Sequence, residues 1–287
     1  MNNHINITRS EFHRKKKKLR LRKWVIILFF LIFLGLLLFS FFKVYLWYQD
    51  NQKIETMNDD LITDTNIKEK EDTENTELIN APEDKNNDYW NYIKMNLLEV
   101  DFNDLLTKNS DTVGWIEVKG TNINYPIVKT TDNSYYLSHA YDKSKNEAGW
   151  VFMDYRNNAV NFDQNTIIYA HSRYNGTMFG SLKNILSSSW YTNKNNYIIR
   201  LSTPTENTMW QLFSVYTIYK ENYYITPNFD NENDYLEFLT TIKNRSAVEF
   251  SGTVNTNDKI LTLSTCQDNS GNRIVMHAKL IKKEKRT

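Results

Sequence analysis

The sequence predicts a mainly β fold, a single barrel or sandwich, carried behind one transmembrane helix. Three observations lead there. Short runs rich in β-branched and aromatic residues, broken by turn residues, fill most of the chain from residue 114 onward. Only two segments interrupt them with apolar residues at helical spacing, and an uncharged apolar stretch follows a basic block near the start. With 287 residues, 40% apolar and 14% aromatic, the chain can bury a substantial core. The net charge of +1 hides an asymmetry, because residues 14–23 are strongly basic while residues 50–88 are mostly acidic and polar. Overall charge therefore carries no information about partners.

Residues 24–42, WVIILFFLIFLGLLLFSFF, contain no charge. At about 1.5 Å rise per residue this stretch nearly covers a bilayer core of about 30 Å. The Lys/Arg cluster before it, against Lys43 alone just after, predicts a cytoplasmic N-terminus and an external remainder. A cleaved signal peptide fits less well, since the stretch is long and no small-x-small site follows it. A basic run can also bind nucleic acid, but its position against an apolar span gives it a topological meaning, and no nucleic-acid partner is expected. The organisation expected is a basic cytoplasmic tail at 1–23, a signal anchor at 24–46, an acidic polar linker at 47–88 and a folded domain at 89–287.

In the linker, Asn, Asp, Glu, Lys and Thr predominate, which predicts a flexible spacer whose first residues can extend the anchor helix. Tyr89, Tyr92, Ile93, Leu97, Val100 and Leu105 then suggest one or two amphipathic helices ending near Asn109. Candidate strands follow at 114–118 and 123–128, joined by a Gly120-Thr121-Asn122 turn, and at 150–153, 166–170, 197–201, 209–219, 259–264 and 273–281. The helical interruptions are a short one at 178–186 and a longer one at 231–243, where Tyr235, Phe238, Leu239 and Ile242 share a face.

Chemistry concentrates in residues 259–281, KILTLSTCQDNSGNRIVMHAKLI, which read strand, loop, strand. Cys266 is the chain's one cysteine, so no intrachain disulfide exists, and outside the membrane a lone thiol is unusual. An antiparallel hairpin would bring Cys266 and Arg273 to one end of the sheet, where a guanidinium favours the reactive thiolate. The alternative, an inert buried thiol beside a solvated arginine, stays open on these residues alone. A cysteine nucleophile needs a proton carrier near neutrality, and histidine is the usual one. Of five histidines, His4 and His13 fall on the cytoplasmic side. His171 follows the apolar strand Ile167-Ile168-Tyr169-Ala170 into a polar loop, His139 sits in a loop, and His277 lies mid-strand, where a packed side chain is the expected reading. No ligand spacing for a metal is present around them.

Thr262-Leu263-Ser264-Thr265-Cys266 followed by Arg273 resembles the TLxTC and downstream arginine of the sortases, and Ile168-Tyr169-Ala170-His171 is similar to their histidine motif. Class B is the nearest likeness, through Gly114-Trp115-Ile116, Tyr125-Pro126-Ile127, Asp132-Asn133-Ser134-Tyr135-Tyr136-Leu137, Phe152-Met153-Asp154-Tyr155-Arg156-Asn157 and Gly176-Thr177-Met178-Phe179. Two departures stand out: only six residues separate Cys266 from Arg273, and His171 is followed by Ser172-Arg173-Tyr174 rather than an Asn-rich loop.

The resemblance implies a sortase-type closed β-barrel with an N-terminal helical segment and a helix in the loop before the catalytic strand. It implies a membrane-anchored cysteine transpeptidase with Cys266 as nucleophile, His171 as proton carrier and Arg273 stabilising the oxyanion or holding the peptide. Asn133, Leu137, Tyr169, Tyr224, Ile225 and Ser264 would line the peptide groove. The implied partners are secreted proteins with a C-terminal sorting motif and an amine on a peptidoglycan precursor or pilin; neither cofactor nor metal is expected. A pilin-polymerising enzyme, a hydrolytic cysteine protease and an inactive binding module are the alternatives.

Overall fold

The computed structural model describes residues 22–219, 221–265 and 271–286. Two compact units divide the chain, residues 1–46 and 47–287. Helix α1, Lys23–Asp64, enters both. In the first unit it carries the apolar stretch, long and apolar enough to cross a membrane, with its large side chains exposed all round.

In the second unit α1 is amphipathic: Asn51, Ile54, Asn58 and Leu61 recur every three or four residues and are buried. Strand β1, Ile67–Lys70, and β2, Thr76–Leu78, follow. Much of the segment expected to be a flexible spacer is thus ordered. Composition concealed this because so few apolar residues are involved, yet Ile54 and Leu61 are almost completely buried, and strand pairing satisfies backbone groups whatever the side chains are.

A short helix α2, Tyr89–Tyr92, strand β3, Leu97–Val100, and helix α3, Asn103–Lys108, occupy the region expected to be helical throughout. β3 pairs antiparallel with β1. The expected helical spacing there came from apolar residues of three elements.

The remaining strands are β4 (Thr112–Val118), β5 (Asn124–Val128), β6 (Phe152–Met153), β7 (Asn165–Ala170), β8 (Ile198–Ser202), β9 (Glu206–Tyr219), β10 (Ile260–Thr265) and β11 (Asn272–Lys285). Among the described residues these eight close a barrel in the order β10-β7-β6-β5-β4-β8-β9-β11, completed by the β10–β11 pairing, with β2 added along the far part of β11. Closure leaves no free edge within the ring. Two neighbour pairs, β10–β7 and β5–β6, are parallel. Helix α4, Ser188–Tyr191, lies between β7 and β8, and the expected helix at 178–186 is instead a 3₁₀ segment, Gly180–Asn184.

The predicted helix between β9 and β10 is present as α5, Glu232–Asn244, capped by the Asn231 side chain accepting from the Asp234 amide. Its buried face of Tyr235, Phe238, Leu239 and Ile242 forms a second core with Phe213, Tyr216, Ile218, Ile260 and Val275. β11 runs four residues beyond its expected end. The strand continues past Ile281 with Lys282 fully buried, its ammonium donating to Asp72 Oδ1 at 2.6 Å and to the carbonyls of Ile93 and Met95 at 2.8 and 2.6 Å. Three acceptors meet the three donors of the group.

Because the second half of α1 packs rather than swings, Ile54→Ala should destabilise the 47–287 unit by about 2–4 kcal/mol. Denaturant unfolding of the full chain in detergent micelles measures this, and an unchanged midpoint would restore the spacer reading.

Candidate active site

The parallel pairing of β7 with β10 sets Ala170 beside Thr265 at the last rung of their ladder. β7 is buried along nearly its whole length, as its continuous apolar run requires of a parallel strand. His171 directly follows it. Cys266 directly follows Thr265 and lies outside the described residues. Arg273 stands at the second position of β11, which pairs antiparallel with β10, and the Ile274 amide donates to Thr265 Oγ1 at 2.9 Å.

A cavity of about 370 Å³ opens here. Seven residues singled out in the sequence line it: Asn133, Leu137, Tyr169, His171, Ile225, Ser264 and Arg273. Tyr224 stands behind the lining. Its hydroxyl accepts from an Arg273 terminal nitrogen at 3.2 Å and lies 3.0 Å from Ser264 Oγ. Arg273 also donates to Asn222 Oδ1 at 3.3 Å, so its guanidinium is held from the 222–225 turn. A larger cavity of about 760 Å³ lies along α1 beside Gln49 and Asp64 and contains none of these groups.

His171 is partly buried, with Nε2 2.8 Å from the Leu137 carbonyl. A carbonyl only accepts, which places a proton on Nε2 and leaves Nδ1 as the other basic atom of the neutral ring. Burial lowers the pKa of this imidazole; the Leu137 hydrogen bond opposes the shift and Arg173 adds to it. Gly149 backs the ring. At φ +63° it adopts a conformation other residues resist, and a Cβ there would meet the Tyr136 carbonyl at 2.4 Å and His171 Cδ2 at 3.1 Å.

The other two histidines are occupied elsewhere. His139 stacks on Tyr135 with ring centroids 4.1 Å apart and places Nδ1 2.7 Å from the Tyr135 carbonyl. His277 is fully buried inside a directed chain: Tyr223 donates to Tyr216, whose hydroxyl is 2.9 Å from His277 Nε2, while Nδ1 is 2.8 Å from Thr262 Oγ1, which donates to Asn165. Asn165 in turn donates to the carbonyls of Tyr224 and Thr226 at 3.0 Å each, tying this chain to the cavity wall.

Sequence reasoning missed Phe152 and Thr265 as lining residues, and Gly149 as the ring's backing. It quoted Asp154 and Arg156 within a motif without assigning them work. Among the described residues no cluster of His, Cys, Asp or Glu is arranged to hold a metal.

Residues 116–281 match the sortase domain family. The chain is 36% identical to sortase B of Staphylococcus aureus over 184 residues, 63% of this chain and 75% of that protein. Among solved structures, the S. aureus sortase B–substrate complex superposes with a TM-score of 0.60 at 36% identity, covering 63% of this chain and 84% of that one. Sortase B from B. anthracis in complex with AAEK1 superposes with a TM-score of 0.66 at 30% identity, covering 82% and 99%. Fold, sequence motifs and these likenesses agree, and the chain belongs to the sortase family of cysteine transpeptidases, in its class B.

The buried chain around His277 has a consequence for stability. Burial depresses the folded imidazole to about 3 from an ordinary 6.5. The unfolded state therefore binds a proton that the folded state refuses between those values. Stability should fall as pH drops below about 6.5, by about 1 kcal/mol per pH unit. Denaturant titrations between pH 7 and 4.5 measure the slope, and His277→Gln should flatten it; an equally steep slope in that variant would place the titration elsewhere.

Proposed function

We propose that this chain is a membrane-anchored transpeptidase that cleaves a C-terminal sorting signal on secreted proteins and transfers the acyl group to an amine of the cell wall. The observation that carries the reading is the convergence of His171, the Thr265 strand end and Arg273 on one cavity. Cys266 is the next residue in sequence after Thr265.

In this reading Cys266 gives its thiol proton to His171, and the resulting thiolate attacks the carbonyl carbon of a threonine in the sorting signal. The carbonyl π pair moves onto oxygen, and Arg273 stabilises the resulting oxyanion. Collapse breaks the C–N bond, the departing amine takes a proton from His171, and a thioester remains on Cys266. An acceptor amine then attacks, gives its proton to His171 and displaces the thiolate as a new amide forms. Held by Asn222 and Tyr224, Arg273 is positioned before substrate arrives, which reduces reorganisation at the moment charge develops. The cavity lining of Leu137, Phe152 and Ile225 would take apolar peptide side chains, and Asn133, Tyr169 and Ser264 would provide polar contacts. The S. aureus sortase B–substrate complex supports substrate binding on a barrel of this kind.

The apolar part of α1 is read as the anchor, with the basic block before it retaining the N-terminus in the cytoplasm and the catalytic unit outside. Such tethering would bring the enzyme close to proteins leaving the export machinery and to precursors carried on lipid.

Full chain in detergent micelles should cleave an Asn-Pro-x-Thr-like peptide, and Cys266→Ala should abolish cleavage while leaving thermal unfolding unchanged. Persisting turnover in that variant would end the mechanism. Arg273→Lys should lose about 10²–10³-fold in kcat, since an ammonium cannot reproduce the guanidinium's fork; near-normal kcat would remove Arg273 from the reaction. Supplying an acceptor amine should divert product from acid to amide, read by mass spectrometry, whereas exclusive hydrolysis would favour a protease.

Gly149→Ala should displace the His171 ring and reduce kcat about tenfold or more. Undiminished kcat would show that the ring's seating does not limit turnover.

A further inference from the structure

We propose that Asp154 is the positioning residue of the peptide groove, one buried carboxylate that holds three of its walls from three separate stretches of chain. The inference rests on reading the 370 Å³ cavity as the peptide site.

Asp154 follows β6 and is completely buried. Its Oδ2 accepts from Asn133 Nδ2 at 3.0 Å, from the Tyr169 hydroxyl at 3.0 Å and from an Arg156 terminal nitrogen at 2.7 Å. Its Oδ1 accepts from Arg156 Nε at 2.8 Å and from the Arg156 amide at 3.0 Å. Arg156 then carries the grip onward, donating to the Ile225 carbonyl at 2.8 Å. Asn133 lies after β5, Tyr169 within β7 and Ile225 after β9; all three line the cavity. Without Asp154 and Arg156 no described contact ties these three walls to a common point.

Chemistry explains why the central group is a carboxylate. Each partner presents a donor: an amide NH2, a phenol, a guanidinium and a backbone N–H. An ionised carboxylate is acceptor-only, whereas an asparagine in its place would turn its own NH2 toward some of these donors. Burial by itself would raise the carboxyl pKa, but hydrogen bonds from Arg156 and Asn133 outweigh it and hold the group below the usual carboxylate range. The group stays ionised across the neutral range. A buried ion pair is weak evidence for stability, since apolar packing often serves as well. Convergent acceptance is something apolar packing cannot supply.

The arrangement also separates binding from chemistry. His171 is held by the Leu137 carbonyl and Arg273 by Asn222 and Tyr224, and neither touches Asp154. Loss of the carboxylate should therefore loosen the peptide and spare the reacting groups.

The test uses the full chain in detergent micelles, with steady-state cleavage of the Asn-Pro-x-Thr-like peptide and, separately, alkylation of Cys266 by iodoacetamide between pH 5 and 9. Asp154→Asn should raise KM about tenfold or more with kcat changed by less than about threefold, as expected when binding shared by ground and transition states is lost. The alkylation rate and its pH profile should match wild type. Arg156→Gln, at a partly exposed side chain, should act in the same direction, and the double variant should be less impaired than the sum of the singles because both cut one linkage. An unchanged KM in Asp154→Asn overturns the proposal, as does a loss of kcat and alkylation rate in step with the rise in KM. If Asp154→Asn does not fold, Arg156→Gln decides by the same criteria. Failure of the underlying reading would show differently: wild-type chain would not cleave the peptide at all, and the proposal would fall with it.

Discussion

The parallel ladder between β7 and β10 is the constraint on which the rest depends. These strands are far apart in sequence, and each is buried, so their pairing must be carried by backbone hydrogen bonds and by apolar faces packed on both sides. The ladder fixes which residues leave the barrel together. A slip of one position would exchange inward and outward faces along β10 and draw His171 away from the strand end that precedes Cys266. Barrel closure by the β10–β11 hairpin makes such a slip costly, because β11 is itself locked to β9 along most of its length.

A polar scaffold stands behind this apolar frame. Thr262, one strand step from the ladder's middle, joins Asn165 to His277, and Asn165 holds the backbone of the turn that carries Tyr224 and Ile225. On the cavity's other side Asp154 gathers Asn133, Tyr169 and, through Arg156, Ile225. Ile225 is thus gripped from two directions while its side chain faces the cavity. Buried groups of this kind are costly unless every donor and acceptor is matched, and here the directions of donation run consistently from Tyr223 to Asn165. Matching of that order resists deformation of the cavity wall.

Much of this was legible in the chain. The alternating and continuous apolar runs marked the strands, and α5 announced itself through Tyr235, Phe238, Leu239 and Ile242. His171 and Arg273 were singled out from strand ends, charge and family likeness, and one cavity gathers them with five of the six residues that the likeness named as groove candidates. Tyr224 differs, acting from behind as the hydroxyl that connects Arg273 to Ser264. The second half of α1 was not legible because its few buried residues lie among polar ones, β1 and β2 because they bury no residue fully, and β3 because its apolar residues continue a helical spacing with those of α2 and α3. Lys282, past the expected end of β11, has its charge satisfied by Asp72 and by two carbonyls between α2 and β3, partners about 190 to 210 positions away in the chain.

By itself the sequence determined an apolar stretch long enough to cross a membrane, the mainly β class and the chemical types present, since these follow from local composition, periodicity and short motifs. Only the tertiary structure decided which histidine lines the cavity, how Arg273 is held and which donors Asp154 gathers. Those outcomes depend on long-range register and on pairing of buried polar groups. Side-chain hydrogen bonds are specific in distance and direction, and a linear pattern records neither.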